Sequence, residues 1–178
     1  MNQDIVLKTI LSRRSVRVYS GETVGRDVLL RLVEAGSAAP TARDKRHFVF
    51  FVIDDRDLLT RLSSGLPNAQ MLVPAGHAIV VASDLAEAYG GEEFPYWIQD
   101  CAAATENILL AAESLGLGAC WTGVHPREER AAFVRDALGL PGSVHPLCVI
   151  AVGIPKERPQ PKNKFGGAKV FWNNVKGG

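Results

Sequence analysis

Three apolar runs limit what this chain can become more than any other feature. Residues 47–53, 77–83 and 145–153 are rich in Val, Ile and Phe and hold few polar side chains. Short apolar runs of this β-rich kind, closed by turn-forming or acidic residues such as Asp54-Asp55, predict buried strands. The intervening segments carry the helical period instead. Val6, Leu7, Ile10 and Leu11 make one stripe within residues 4–14. Val28, Leu29, Leu32 and Val33 make another within 25–36, a helix expected to end near Gly36 because Pro40 bars its continuation. Asp55 is placed to cap a short helix over 56–64. The longest helix is predicted over 95–116 and a further one over 127–138. Residues 118–124 read as one more extended segment, and Val16 to Tyr19 alternate like a short strand. Helices and strands in this mixed order, without strict βαβ alternation, predict an α+β fold with helices packed around a sheet.

The 178 residues suit one domain over 1–178, with about 155–178 as an extended C-terminal arm. That arm holds three prolines and five lysines, yet it also carries Val170, Phe171, Trp172 and Val175. Apolar residues on an arm with no core of its own need a surface to cover, and a partner subunit is the favoured one. The net charge of +1 provides no global field for nucleic acid or membrane. Cys101, Cys120 and Cys148 are odd in number and widely spaced, and the four histidines form no HxxxH pair. Neither a disulfide framework nor a metal site is supported. With no secretory h-region and no apolar run long enough to span a bilayer, a soluble, cytoplasmic protein is expected. Gly116-Leu117-Gly118 precedes an extended run, not the helix that a dinucleotide fingerprint requires, so a Rossmann fold is not predicted.

Ser12-Arg13-Arg14-Ser15-Val16-Arg17 packs three guanidinium groups and two hydroxyls into six residues. Arg presents a planar fork of donors that matches phosphate oxygens, and Ser adds a hydroxyl. The cluster points to a bound phosphate. Its ordinary alternative is a set of solvated cations at a helix end, where the helix dipole favours them.

Taken in order along the chain, further segments join that cluster in resembling the FMN-dependent nitroreductase family. They are Ala38-Ala39-Pro40-Thr41-Ala42 with His47-Phe48, then Gln99-Asp100 through Gly118, then Trp121-Thr122-Gly123, Val152-Gly153-Ile154-Pro155 and Lys162-Asn163-Lys164. The resemblance covers nearly the whole chain. It implies a central, mostly antiparallel sheet flanked by helices, in an interlocked homodimer with exchanged terminal segments and two FMN sites at the interface. It also implies an NAD(P)H-driven ping-pong reduction of nitroaromatics, quinones or similar electron-poor acceptors. FMN carries that chemistry, so no side chain is expected to serve as acid, base or nucleophile.

By resemblance, Arg13 clamps the FMN phosphate, with Ser15 adding a hydroxyl donor and Lys162 and Lys164 arriving from the arm. Arg14 contributes its backbone or faces water. Arg17 matches the cation near the flavin pyrimidine ring, and Gln70 is expected at the same edge. Pro40 and Thr41 match the segment that contacts FMN from the other subunit. Asp44 stands where the family often has Asn; a carboxylate only accepts hydrogen bonds, and pairing with Lys45 or Arg46 is its alternative. Arg46-His47 replaces the usual Gln-Pro. Thr122 and Gly123 match the segment over flavin N5, where a residue without Cβ lets the backbone approach closely. Trp121 is expected to pack and Cys120 to be a small buried residue. Residues 84–95 are Gly-rich and acidic, and Tyr89 and Phe94 around a Gly90-Gly91 hinge are expected to form a substrate-facing lid.

Three other readings compete. The shared FMN motifs also fit flavin-cleaving synthases, reductive dehalogenases and dehydrogenating oxidases. A non-catalytic flavin-binding protein would keep the phosphate cations and close the space above N5. A nucleic-acid module has only the arginine cluster in its favour.

Overall fold

The computed structural model describes residues 4–90, 95–160, 162, 164, 165 and 170–173. The three apolar runs become β1 (Phe48–Ile53), β2 (His77–Asp84) and β4 (Val144–Gly153), and the extended segment between them becomes β3 (Gly118–Gly123). They form one four-stranded sheet in the order β1-β2-β4-β3, with antiparallel pairing throughout. β2 and β4 are central and buried almost from end to end, which explains why their sequences show no polar alternation. Ala78 and Val80 of β2 and Val149 and Ala151 of β4 enter one core, while Ile79, Val81, Cys148 and Ile150 enter the other. Successive side chains point to opposite faces of a strand, so both faces need a helical cover.

On one face lie α2 (Arg26–Ser37) and α5 (Tyr96–Ser114), and on the other α3 (Arg56–Gly65), the single turn α4 (Leu72–Ala75) and α6 (Glu128–Leu138). Asp55 caps α3 as expected, accepting the Leu58 amide at 2.8 Å, a bond worth about 1 kcal/mol. Pro146, which has no amide hydrogen for the ladder, sits where the β2–β4 register shifts, the kind of irregularity at which a central strand tolerates proline. The sheet and its two helical layers agree with the α+β expectation.

α2 ends near Gly36 as expected, one residue later at Ser37, and Gly36 packs against Ile108 of α5 and Phe50 of β1. One sequence expectation needs correction. Residues 16–19 form no regular strand. They are held by two isolated bridges, Ser15 to Ala119 and Tyr19 to Pro155, because the segment crosses the edge of the sheet instead of joining it. The first part of the arm folds back on its own chain. Ser20 donates to Ile154, Lys156 donates to the Val18 carbonyl, and Arg14 Nε reaches the Gln160 carbonyl at 3.3 Å. The stripe of α1 (Asp4–Ser12) faces outward: Val6, Leu7, Ile10 and Leu11 are all exposed, Leu11 by 72%. Val170, Phe171 and Trp172 of the arm are exposed as well. The expectations for Phe94, Asn163 and Val175 fall outside the described residues. No helix among the described residues is long and apolar enough to cross a membrane.

Candidate functional site

The end of α1 delivers the arginine cluster to the open edge of β3. Val16 N–H donates to the Ala119 carbonyl at 3.0 Å, so the backbone from Ser15 onward is pinned beside the strand. Arg13 turns back toward α5, where its Nε donates to Glu106 at 3.0 Å. That bond uses one of the five guanidinium hydrogens. At partial exposure such a pair contributes about 0–1 kcal/mol, less than the roughly 1.5–3 kcal/mol of a charge-assisted bond to phosphate. The Glu106 contact is therefore weak enough for a phosphate to displace or share, were one bound there. Arg14 gives its donors to three backbone carbonyls, those of Leu11, Arg13 and Gln160, and so ties the helix end to the arm. Lys162 and Lys164 follow Gln160 and are exposed.

Arg17 is exposed, and its one long bond, 3.4 Å to the Ser15 carbonyl, leaves it nearly unrestrained. It lines a cleft of about 280 Å³ together with Asn68, Trp121, Thr122, Gly123 and Arg130. Three features mark this cleft as built for a ligand. Thr122 is buried, and its Oγ1 has no hydrogen-bond partner among the described residues, a state that costs roughly 1–3 kcal/mol unless something outside the chain accepts or donates. A Cβ placed on Gly123 would meet no atom within 4 Å, so its backbone faces open space. Among the described residues, Arg17 and Arg130 line the cleft and no carboxylate does. A polar ligand with negative charge and a hydrogen-bonding edge fits this donor set. Among the described residues, no group of three His, Cys, Asp or Glu could hold a metal ion.

Two cleft residues escaped the sequence reading. Asn68 adopts φ 57°, in the left-handed region that Asn tolerates better than most residues, and Pro67-Asn68 was a turn signal that could have been followed. Arg130 donates to the Gly123 carbonyl at 3.1 Å and fixes the strand end. In sequence it is one of several charges opening α6, and nothing there distinguishes it. Trp121, expected to pack, is 38% exposed at the cleft instead. Cys120 beside it is buried as expected. Burial pushes its thiol pKa up, while the charges of Arg17 and Arg13 act in the opposite direction, which places both guanidinium groups near it. Gln70 is exposed and does not line the cleft.

Pro40, Thr41 and Asp44 belong to a second structure. Residues 41–46 form a loop around one 3-10 turn (Ala42–Asp44), in which Arg43, Asp44 and Arg46 all have φ of 53–54°. Each such non-glycine residue costs about 1–2 kcal/mol, so the loop exists only because it is tied down. Thr41 Oγ1 accepts the Arg46 amide, Asp44 takes both arms of the Arg46 guanidinium, and Arg43 lies 4.6 Å over the Tyr89 ring. The Arg46 bonds hold the Asp44 carboxyl below the usual carboxylate range. No hydrogen bond or ion pair among the described residues joins this loop to the Arg17 cleft. Within one chain, the residues expected to hold a single ligand thus form two groups.

Comparison with known proteins places this geometry. The model of the Nitroreductase family matches residues 10–65 and 63–154. An Archaeoglobus fulgidus protein provisionally named NADH dehydrogenase/NAD(P)H nitroreductase is 42% identical over 153 residues, which span 85% of this chain and 86% of that protein. A crystal structure from Parabacteroides distasonis, provisionally given the same name, superposes with a TM-score of 0.90 at 42% identity over 98% of this chain and 99% of the other. A Desulfovibrio desulfuricans protein solved in complex with FMN gives a TM-score of 0.85 at 27% identity, covering 97% and 99%.

Proposed function

The chain belongs to the nitroreductase family, and from that membership we propose that it is an FMN-dependent NAD(P)H oxidoreductase acting on nitroaromatic, quinone or similar electron-poor acceptors in a ping-pong cycle. The observation that carries the reading is the cleft at the end of β3. Two guanidinium groups, the unpartnered Thr122 hydroxyl and the open Gly123 backbone meet there without a carboxylate. When bound, FMN supplies the hydride transfer that amino-acid side chains do not provide.

The residues divide that work. Arg13 and Ser15 hold the phosphate, joined by Lys162 and Lys164 of the arm; the bond from Arg14 to the Gln160 carbonyl, just before them, supports this reading. Arg17 supplies a positive charge at the pyrimidine edge. Thr122 and Gly123 present the backbone to the N5 edge, and Arg130 keeps that backbone from shifting. Pro40, Thr41 and Asp44 act on the site of a second copy of the chain. This reading explains why they stand apart from the cleft within one copy, and why α1 and residues 170–172 expose apolar side chains. Gln70 serves the same pyrimidine edge as Arg17, and Tyr89 belongs to the substrate-facing lid.

The decisive experiment is to purify the protein, record its visible spectrum and titrate it anaerobically with NADH and with NADPH. A yellow protein bleached by either nicotinamide and reoxidised by a nitroarene is the expected result. A colourless protein that cannot be reconstituted with FMN would overturn the assignment. Bound FMN that neither nicotinamide reduces would leave a flavin-binding protein and remove the reductase.

A further inference from the structure

His47 lies at the entrance to β1 with a fully buried side chain. Its Nε2 is 2.8 Å from Asp100 Oδ2, and its Nδ1 is 2.8 Å from the Ser83 hydroxyl. The same Asp100 oxygen accepts the Ala42 amide at 2.9 Å. A carboxylate only accepts, so Nε2 carries the hydrogen, and in the neutral ring Nδ1 accepts from Ser83. The chain of bonds runs from the end of β2, through the start of β1 and the second turn of α5, into the strained loop over residues 41–46.

This is not a hydrolytic triad. In a triad the serine bonds Nε2 and the aspartate bonds Nδ1; here the two are exchanged, and Ser83 has no exposed surface. What the bonds do is anchor. Thr41–Arg46, Asp44–Arg46 and Arg43–Tyr89 are surface contacts open to solvent, whereas the Asp100–Ala42 bond starts from a buried carboxylate braced by a buried imidazole. It enters the loop immediately before the first left-handed residue, Arg43.

We propose that Asp100, braced by His47 and Ser83, is a positioning residue for the cofactor: through the Ala42 amide it fixes the entry to the strained turn and so holds the backbone of Pro40, Thr41 and Ala42 in the shape that meets FMN. The proposal rests on the flavin reading above. It also explains how the chain tolerates Arg46-His47 where the family usually has Gln-Pro, since His47 makes the buried contact itself.

The test compares FMN binding to the apoprotein, measured by quenching of flavin fluorescence, with hydrogen exchange of the amides in residues 41–46. Asp100→Leu and His47→Leu remove the acceptor and the brace. Both should weaken FMN binding about 10-fold or more and speed exchange at Ala42, because the Ala42 amide loses its acceptor in the first variant and that acceptor loses its buried partner in the second. His47→Gln keeps an amide donor toward Asp100 and should stay within about 3-fold of the wild type. Should the leucine variants not fold, Asp100→Asn decides: it keeps an oxygen but no charge, and should bind roughly 3- to 10-fold more weakly while His47→Gln does not. Folded variants, Asp100→Leu or Asp100→Asn, that bind FMN as the wild type does overturn the proposal. So does a His47→Gln variant as impaired as His47→Leu. Wild-type protein that takes up no FMN sinks the flavin reading instead, while normal wild-type uptake with unaltered variants sinks only the positioning role.

Discussion

Arg13 and Arg17 are four positions apart and live in different surroundings. Arg13 is partly buried against Glu106, at the base of the arginine cluster; Arg17 stands exposed at the cleft. Arg13→Ala should therefore weaken FMN retention by about 10- to 100-fold, the equivalent of one charge-assisted bond, with little change in flavin potential. Arg17→Ala should chiefly lower the midpoint potential of bound FMN, read by anaerobic dye equilibration. Matching phenotypes would refute this division. Gly123 allows a cleaner separation of stability from function. Its missing Cβ faces open space, so Gly123→Ala should alter unfolding stability by no more than about 0.5 kcal/mol yet weaken FMN binding. A variant with wild-type FMN affinity would show that this backbone does not approach the ligand. Arg13, Arg17, Thr122 and Gly123 could be named as candidates from the sequence because each sits in a dense local motif. Asn68, Arg130 and Asp100 could not, because their roles come from neighbours brought by the fold.

Among the elements, the central strands pack closely enough that single carbon atoms matter. A Cβ on Gly153 at the end of β4 would lie 2.3 Å from the Ala75 carbonyl oxygen of α4, a backbone atom that cannot swing away. Gly153→Ala should cost about 1–3 kcal/mol and, at this chain length, lower Tm by roughly 2–12 °C. An unchanged Tm would mean that α4 is free to move. The loop between β3 and α6 carries a different sensitivity. The His125 ring meets Trp97 edge-on, 4.9 Å between centroids, with His145 nearby. Burial lowers its pKa below the ordinary value of 6.5, the His145 charge adds to that shift, and Glu128 opposes it. The folded state thus binds this proton less readily than the unfolded chain. The stability contribution is complete above about pH 6.5 and is lost as pH falls through the lower folded value. His125→Gln should flatten the slope of Tm between pH 7 and 5; an identical slope in the variant would assign it to other groups.

At the scale of the molecule, one chain leaves its surface unfinished. Ile5, Val6, Leu7, Ile10 and Leu11 of α1 are all exposed, and burying five such side chains is worth roughly 8–15 kcal/mol before ordering costs, the scale of a tight complex. A second copy is the occupant proposed above. Val6→Glu combined with Leu11→Glu should shift elution in gel filtration from dimer to monomer and release FMN. A dimer that survives both charges would move the interface elsewhere. The sequence by itself determined the elements, since the period of apolar residues depends only on local geometry: two for strands, 3.6 for helices. The order of the motifs along the chain was equally enough to reveal the family. Only the tertiary structure decided what each apolar or charged face meets. The stripe of α1 reads like any core helix, yet it points outward. His47 reads like one more residue of an apolar strand, yet it bonds Asp100, 53 positions away. Arg13 finds Glu106 across 93 positions. Periodicity reports that a face exists, but its partner is set by how the sheet orders its strands and stacks helices on both sides, and that order is not written in any local stretch of chain.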